Sequence, residues 1–299
     1  MQIAYIGLGK MGKNMVLRLL EQNIEVVAWN RSKEPLAEAV AAGAKALENF
    51  ADLSKLLTGR KIIWLMLPAG QVTDQLLSEI VPYLAQGDLV IDGGNAFYKD
   101  SMRRSAELAE RGVGFLDIGV SGGPGGARSG ASMMVGGERA DYEAILPLIQ
   151  AACAPEAYGY MGKAGAGHFV KMVHNGIEYG MMQAIAEGAA VLESSNFRPD
   201  LAEVFRVYNN QTVIESRLIN WAREAFSENP TLENISSTIN HTGEGEWTIQ
   251  AAKELGVKVP VIQQSFQVRL ASASEPENFR NKVVSVLRSK FGQHKATKE

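Results

Sequence analysis

From Gln2 to about Gly137 the chain alternates short, β-branched apolar runs with longer amphipathic stretches. Ile3–Ile6, Glu25–Trp29, Lys61–Leu67, Leu89–Asp92, Gly114–Asp117 and Ser132–Val135 read as strands, each bounded by turn residues. Strands that alternate with helices imply a doubly wound parallel sheet. Beyond Gly162 the period changes. Gly165 to about Ser195 is one long apolar segment with helical spacing, and helices at Leu201–Asn209, Val213–Phe226, Trp247–Leu255 and Val259–Ala273 follow with no convincing strand. The pattern predicts an α/β domain over 1–162 and an all-α domain over 163–299. Its polar, basic end, Asn278–Glu299, begins as a helix and frays after Gly292.

Composition narrows the picture. At 299 residues the chain exceeds a usual single core, in keeping with two domains. A net charge of −3 argues against a nucleic-acid binder or a membrane-surface protein. Cys153 is the only cysteine, so neither an intramolecular disulfide nor a thiolate metal cluster can form. The longest apolar run, Ile62–Leu67, is too short to span a bilayer, and Met1–Ile6 shows no basic leader; a cytoplasmic protein is expected. His168, His174, His241 and His294 lack any metal-ligand spacing, so no metal is predicted.

The first strand runs directly into Gly7-Leu8-Gly9-Lys10-Met11-Gly12, which opens a helical stretch. That context is what a dinucleotide fingerprint requires. Gly7 permits the tight turn, Gly9 lets the backbone approach a pyrophosphate, and Gly12 lets helix and strand pack closely. A Rossmann-type domain that binds NAD or NADP is therefore expected. The second strand ends without a carboxylate for a ribose 2′-hydroxyl. Asn30, Arg31 and Ser32 stand there instead and suit a 2′-phosphate, which favours NADP; Glu34 nearby keeps NAD possible.

Ligands of open parallel sheets bind beyond the carboxyl ends of the strands. Leu67, Pro68 and Ala69 are a candidate cofactor-side wall, and Asp92-Gly93-Gly94-Asn95 exposes a short amide towards the crevice. Gly119 to Ala127 concentrates glycines around Ser121, Gly122 and Gly123, a loop whose backbone donors could cradle a carboxylate or a hydroxyl-rich substrate.

The long apolar helix carries a polar stripe. Lys171, His174, Asn175 and Glu178 stand at i, i+3, i+4 and i+7 and share one face, with Lys171 and Glu178 about 10 Å apart along the axis. A Lys and a Glu so spaced can flank a small substrate as base and acid. A salt-bridging or helix-to-helix hydrogen-bonded face is the plainer alternative.

Together the N-terminal glycine loop, Asp92–Asn95, Val120–Gly123 and the string His168-Phe169-Val170-Lys171-Met172-Val173-His174-Asn175-Gly176-Ile177-Glu178-Tyr179-Gly180 resemble the decarboxylating 6-phosphogluconate dehydrogenase family in its short form. The resemblance runs almost from end to end. It implies oxidative decarboxylation of 6-phosphogluconate to ribulose 5-phosphate without a metal, Lys171 serving as general base and Glu178 as the acid that protonates C1 of the resulting enediol. It also implies that Asn95, Ser121, Gly122, Gly123, His174 and Asn175 hold the sugar acid, that Tyr179 and Arg269 contact its phosphate, and that Met11 packs near the nicotinamide. The stretch Arg288-Ser289-Lys290-Phe291-Gly292-Gln293-His294 resembles the family's C-terminal tail, which reaches into a neighbouring subunit's site; Arg288 and His294 are thus expected substrate ligands and a homodimer or homotetramer is implied.

Three positions depart from the family pattern: Glu246 and Pro68 each replace a lysine, and Met181 replaces an aspartate. Two other readings stand beside this one. A related β-hydroxyacid dehydrogenase would use Lys171 on a smaller hydroxy acid, and a dinucleotide-sensing interaction protein would use the helical domain only to dimerise.

Overall fold

The computed structural model describes residues 1–292 and 296–297. Their contacts divide into two compact units, Met1–Lys171 and Met172–Glu299.

The first unit is built on one sheet. Its strands are β1 (Gln2–Ile6), β2 (Glu25–Trp29), β3 (Lys45–Ala46), β4 (Ile62–Leu65), β5 (Leu89–Asp92), β6 (Gly114–Ser121), β7 (Ala131–Gly137) and β8 (Cys153–Gly162), in the order β3-β2-β1-β4-β5-β6-β7-β8. The reversal of order at β1 and β4 is the switch point where open α/β sheets bind their ligands. Alternation along the strands sorts side chains to two faces. Ile3, Tyr5, Val26, Ala28, Trp64 and Ile91 enter one core, with Tyr5 and Trp64 stacked at 5.8 Å, while Ala4, Ile6, Val27, Ile63, Leu65 and Val90 enter the other. Both faces are buried, which is why these strands read as continuous apolar runs.

Several expectations need correction. The sheet is not wholly parallel, because β6 and β7 pair antiparallel through Leu116–Ser121 and Ser132–Gly137. The sequence reading lacks β3 and β8. Both are edge strands; β3 has only two residues, and β8 contains Pro155 and Gly159 and stays largely half-buried or exposed. Edge strands tolerate proline and need no apolar alternation, so their signal is weak. The glycine-rich stretch from Gly119 is not one loop. Gly119–Ser121 complete β6, Gly122 turns the chain at φ +116, and Gly123–Ser129 form a short helix.

The second unit is helical. The long helix Ala166–Ser194 begins in the first unit and continues into the second, followed by helices Leu201–Tyr208, Arg217–Glu228, Glu244–Glu254, Pro260–Ala271 and Phe279–Gly292. Two start later or earlier than the sequence suggests. Ser216 caps Arg217–Glu228 by accepting from the Ile219 N–H, which sets its start after Val213, and Gly243 at φ +101 lets the next helix begin at Glu244. Met182, Ala186 and Ala189 share a core with Phe205, Phe226, Val283 and Leu287, in which Phe226 stacks against Phe205 at 5.5 Å. Ile235 and Thr297 form an isolated antiparallel bridge. No helix among the described residues is long and apolar enough to cross a membrane.

Candidate active site

The glycine loop closes the turn from β1 into the helix Lys10–Glu21. Gly7 has φ +103, donates its N–H to the Trp29 carbonyl at 2.9 Å, and leaves no room for a Cβ beside the Met66 carbonyl oxygen. Gly12 abuts the Gly7 carbonyl oxygen, where a methyl would collide. At Gly9 a Cβ would meet nothing within 4 Å, and the helix start carries no side-chain cap and no acidic residue in its first turn. An open approach to the N-terminus of a helix fits the pyrophosphate of a dinucleotide. Met11 is half-buried against the same core as Leu8.

Asn30 serves the loop itself. Its Oδ1 accepts from the Leu8 N–H at 2.9 Å and its Nδ2 donates to the Ser32 carbonyl at 3.0 Å, so it braces two turns against each other instead of reaching outwards. Arg31 and Ser32 are exposed beside it. Of the three residues expected at a 2′-phosphate, Arg31 thus remains the one with a charge to offer.

Arg104, fully buried, ties the next two loops together. It donates to Asp92 at 3.0 Å, to Asp74 at 2.8 Å and to the Gly70 carbonyl at 3.3 Å, while Asp92 accepts from the Gly94 N–H at 3.1 Å. Burial pushes the Asp74 carboxyl up, but hydrogen bonds from Arg104 and Arg103 outweigh it and hold the group below its usual range. This framework supports Leu67, half-buried, Pro68 and Ala69, both exposed, and the exposed Asn95.

Lys171 lies in the second turn of the long helix, and its Nζ donates to Ser121 Oγ at 3.1 Å. Gly122 and Gly123 follow Ser121 in left-handed conformations, φ +116 and +63, and turn the chain sharply beside it. In this first unit the structure therefore brings together the lysine and the serine that the sequence places far apart.

The second unit assembles the rest of the stripe. His174 Nδ1 lies 3.0 Å from Asn175 Oδ1 and 3.9 Å from Glu178 Oε2, and Asn175 Nδ2 donates to Glu244 Oε1 at 3.2 Å. Tyr179 is buried with the Arg269 guanidinium 3.3 Å from its ring centroid. Burial lowers Arg269 to about 10, and Arg288 acts in the same direction; Tyr179, Glu178 and Glu244 act against it. Arg288, expected in a tail that reaches a neighbouring subunit, is instead buried within its own chain on the helix Phe279–Gly292, lowered by burial with Tyr179, Glu244 and Glu178 of the same chain opposing. Arg269 Nη2 has no hydrogen-bond partner among the described residues. Two desolvated guanidinium groups, one with an unanswered donor, are what an anion site contains. His294 lies outside the described residues.

Sequence reasoning missed Glu244, Asp117 and Arg104. Glu244 is buried and accepts from Asn175 and Thr242. Its signal was only a position near Glu246, with nothing local to show that it turns inwards. Asp117 alternates with Gly119 and Ser121 along β6, but nothing local shows the distant helix start whose Gly165 N–H it accepts from. Among the described residues no group of three or more His, Cys, Asp or Glu could hold a metal ion.

Residues 2–162 match the NAD binding domain of 6-phosphogluconate dehydrogenase, and residues 167–299 match its C-terminal domain. The NAD⁺-dependent, decarboxylating 6-phosphogluconate dehydrogenase of Haloferax volcanii is 40% identical over 301 residues, covering 100% of this chain and 99% of that one. The NADP⁺-dependent, decarboxylating enzyme of Bacillus subtilis is 39% identical, covering 93% of this chain and 63% of its own. Among solved structures, 6-phosphogluconate dehydrogenase of Plasmodium falciparum superposes with a TM-score of 0.83 at 27% identity, covering 97% of this chain and 70% of that one. By the match of both domains and by full-length relatives at about 40% identity, the chain belongs to the 6-phosphogluconate dehydrogenase family.

Proposed function

We propose that this chain oxidises and decarboxylates 6-phosphogluconate to ribulose 5-phosphate, reducing NADP in preference to NAD. The observation that carries the reading is the Lys171–Ser121 hydrogen bond at 3.1 Å, with Glu178 two turns further along the same helix. A bound nicotinamide supplies the hydride acceptor. Lys171 takes the proton of the C3 hydroxyl as that carbon is oxidised, then donates a hydrogen bond to the new ketone, which draws electrons from the breaking C1–C2 bond as CO₂ leaves. Glu178 returns a proton to the carbon that bore the carboxylate. A β-keto acid loses CO₂ once its ketone is polarised, so this scheme asks for no metal.

Asn95, Ser121, Gly122, Gly123, His174 and Asn175 are assigned to the sugar acid, and Tyr179, Arg269, Arg288 and His294 to its phosphate end. Gly7, Leu8, Gly9, Met11 and Gly12 are assigned to the dinucleotide, with Asn30 bracing the loop and Arg31 and Ser32 facing the 2′-phosphate. Leu67, Pro68 and Ala69 form the cofactor-side wall. The exposed apolar residues Ile177, Met181 and Val191 recur on one face of the long helix, which supports assembly as a homodimer or homotetramer. A cytoplasmic enzyme follows from this substrate and cofactor.

The test is a comparison of kcat/KM for 6-phosphogluconate and for a small, unphosphorylated β-hydroxy acid. A preference of about tenfold to 10²-fold for the phosphorylated substrate is expected, since a charge-assisted phosphate contact contributes about 1.5–3 kcal/mol. Equal or better use of the smaller acid would favour the broader β-hydroxyacid dehydrogenase reading.

A further inference from the structure

The first turns of the long helix are held by strand β6, in part through Asp117 and Gly119, to which the reaction gives no role. Asp117, Gly119 and Ser121 alternate along β6 and so share one face. Asp117 is fully buried; its Oδ1 accepts from the Gly165 N–H at 2.6 Å and its Oδ2 from the His168 N–H at 2.8 Å. Those are N–H groups at a helix start, which have no partner within the helix, and the carboxylate also meets the positive end of the helix dipole. His168 is buried as well, with Nδ1 2.7 Å from Ser101 Oγ.

Two residues along β6, a methyl on Gly119 would collide with Lys171 Cβ and lie 2.9 Å from the Gly167 carbonyl oxygen. Two residues further, Ser121 receives Lys171 Nζ at 3.1 Å. On the other side Gly136 and Gly167 let the helix start lie directly against backbone, since a Cβ on Gly167 would stand 2.5 Å from the Met134 carbonyl oxygen. His168 and Lys171 are three residues apart, a rise of about 4.5 Å, so a shift at the cap reaches Lys171 within one turn.

We infer that Asp117 is a positioning residue for Lys171: by capping the helix from β6, with Gly119 leaving space for the lysine stem, it sets where the lysine Nζ meets Ser121 and the substrate hydroxyl. The inference rests on the reading of Lys171 as the general base. Asp117→Asn puts an amide N–H₂ against a backbone N–H, and Gly119→Ala pushes on the lysine stem from an ordinary strand position. Each variant is tested for reduced-dinucleotide affinity by fluorescence titration, for kcat and KM with 6-phosphogluconate, and for the isotope effect on kcat with substrate deuterated at C3.

Expected are unchanged dinucleotide affinity, a kcat lowered by about 10-fold to 10²-fold, and a larger isotope effect, because a misplaced base slows the bond-breaking step. A mere loss of folded enzyme lowers kcat and leaves the isotope effect where it was. Wild-type kcat and isotope effect in both variants overturn the inference, as does loss of dinucleotide binding in both, which would make these residues general supports of the fold. Absence of turnover by the unmodified protein would instead overturn the functional reading, and the inference with it.

Discussion

Lys171 Nζ and Ser121 Oγ stand 3.1 Å apart, a hydrogen bond between the second turn of the long helix and the last residue of β6. The lysine Nζ is thereby aimed before any substrate arrives. Lys171→Met and Glu178→Gln are each expected to lower kcat by about 10²-fold or more, the usual worth of a general base or acid. Ser121→Ala, which loses the bond to Lys171 and the hydroxyl assigned to the sugar acid, is expected to cost roughly tenfold or more. Steady-state kinetics check this, and full activity in either of the first two variants would remove that residue from the chemistry.

Arg269 is held over Tyr179 with one Nη lacking an acceptor among the described residues. Arg269→Met is expected to raise KM for 6-phosphogluconate by roughly thirtyfold, about 2 kcal/mol of binding, with a smaller effect on kcat. Its folded pKa of about 10 lies below the ordinary guanidinium range, so above about pH 10 the unfolded chain binds the extra proton and this group makes the ligand-free protein more stable as pH rises. Phosphate affinity runs the other way and is lost as pH climbs through about 10. KM measured from neutral to alkaline pH should rise in the wild type, and Arg269→Met should remove that rise.

Gly9 and Gly12 separate ligand binding from folding. A methyl at Gly9 meets no protein atom within 4 Å, whereas one at Gly12 meets the Gly7 carbonyl. Gly9→Val should therefore keep its melting temperature and lose dinucleotide binding. Gly12→Ala should lose both, with overpacking costing about 1–3 kcal/mol. Calorimetric titration and thermal unfolding of the two variants decide the point; retained dinucleotide affinity in Gly9→Val would contradict the assignment of the open face.

Arg31 is the exposed cation at the end of β2. Arg31→Ala is expected to lower kcat/KM for NADP by about tenfold to a hundredfold, as for a lost charge-assisted hydrogen bond, and to leave NAD unchanged. Equal losses for both cofactors would place Arg31 away from the 2′-phosphate.

Burial pushes the Cys153 thiol up to about 12, against a weaker downward pull from Arg18. A thiol reagent at pH 8 should leave the native protein unmodified and label the unfolded chain once. Rapid labelling of the native protein would show that Cys153 is accessible as thiolate.

The sheet was legible where both faces of a strand are buried. Ile3–Ile6, Glu25–Trp29 and Leu89–Asp92 announce themselves as apolar runs because helices cover them on each side. Edge strand β8 did not, since Pro155 and Gly159 are tolerated where one side of the ladder is open. The stripe Lys171, His174, Asn175 and Glu178 was legible because one helix carries all four, and helical spacing alone puts them on one face. Arg104, Asp117 and Glu244 were not, because each acts through partners distant in sequence: Asp74, Gly165 and Asn175. Asn30 shows the converse case, a polar residue whose chemistry suits a ligand but whose amide is engaged by the Leu8 and Ser32 backbone.

The most direct measurement of the central claim follows both products of one incubation. Purified protein is given 6-phosphogluconate labelled with carbon-13 at the carboxyl carbon, together with NADP, and labelled CO₂ and reduced nicotinamide are recorded side by side. One CO₂ for each reduced cofactor is the expected result. Reduced cofactor without CO₂, or no reduction at all, would contradict it.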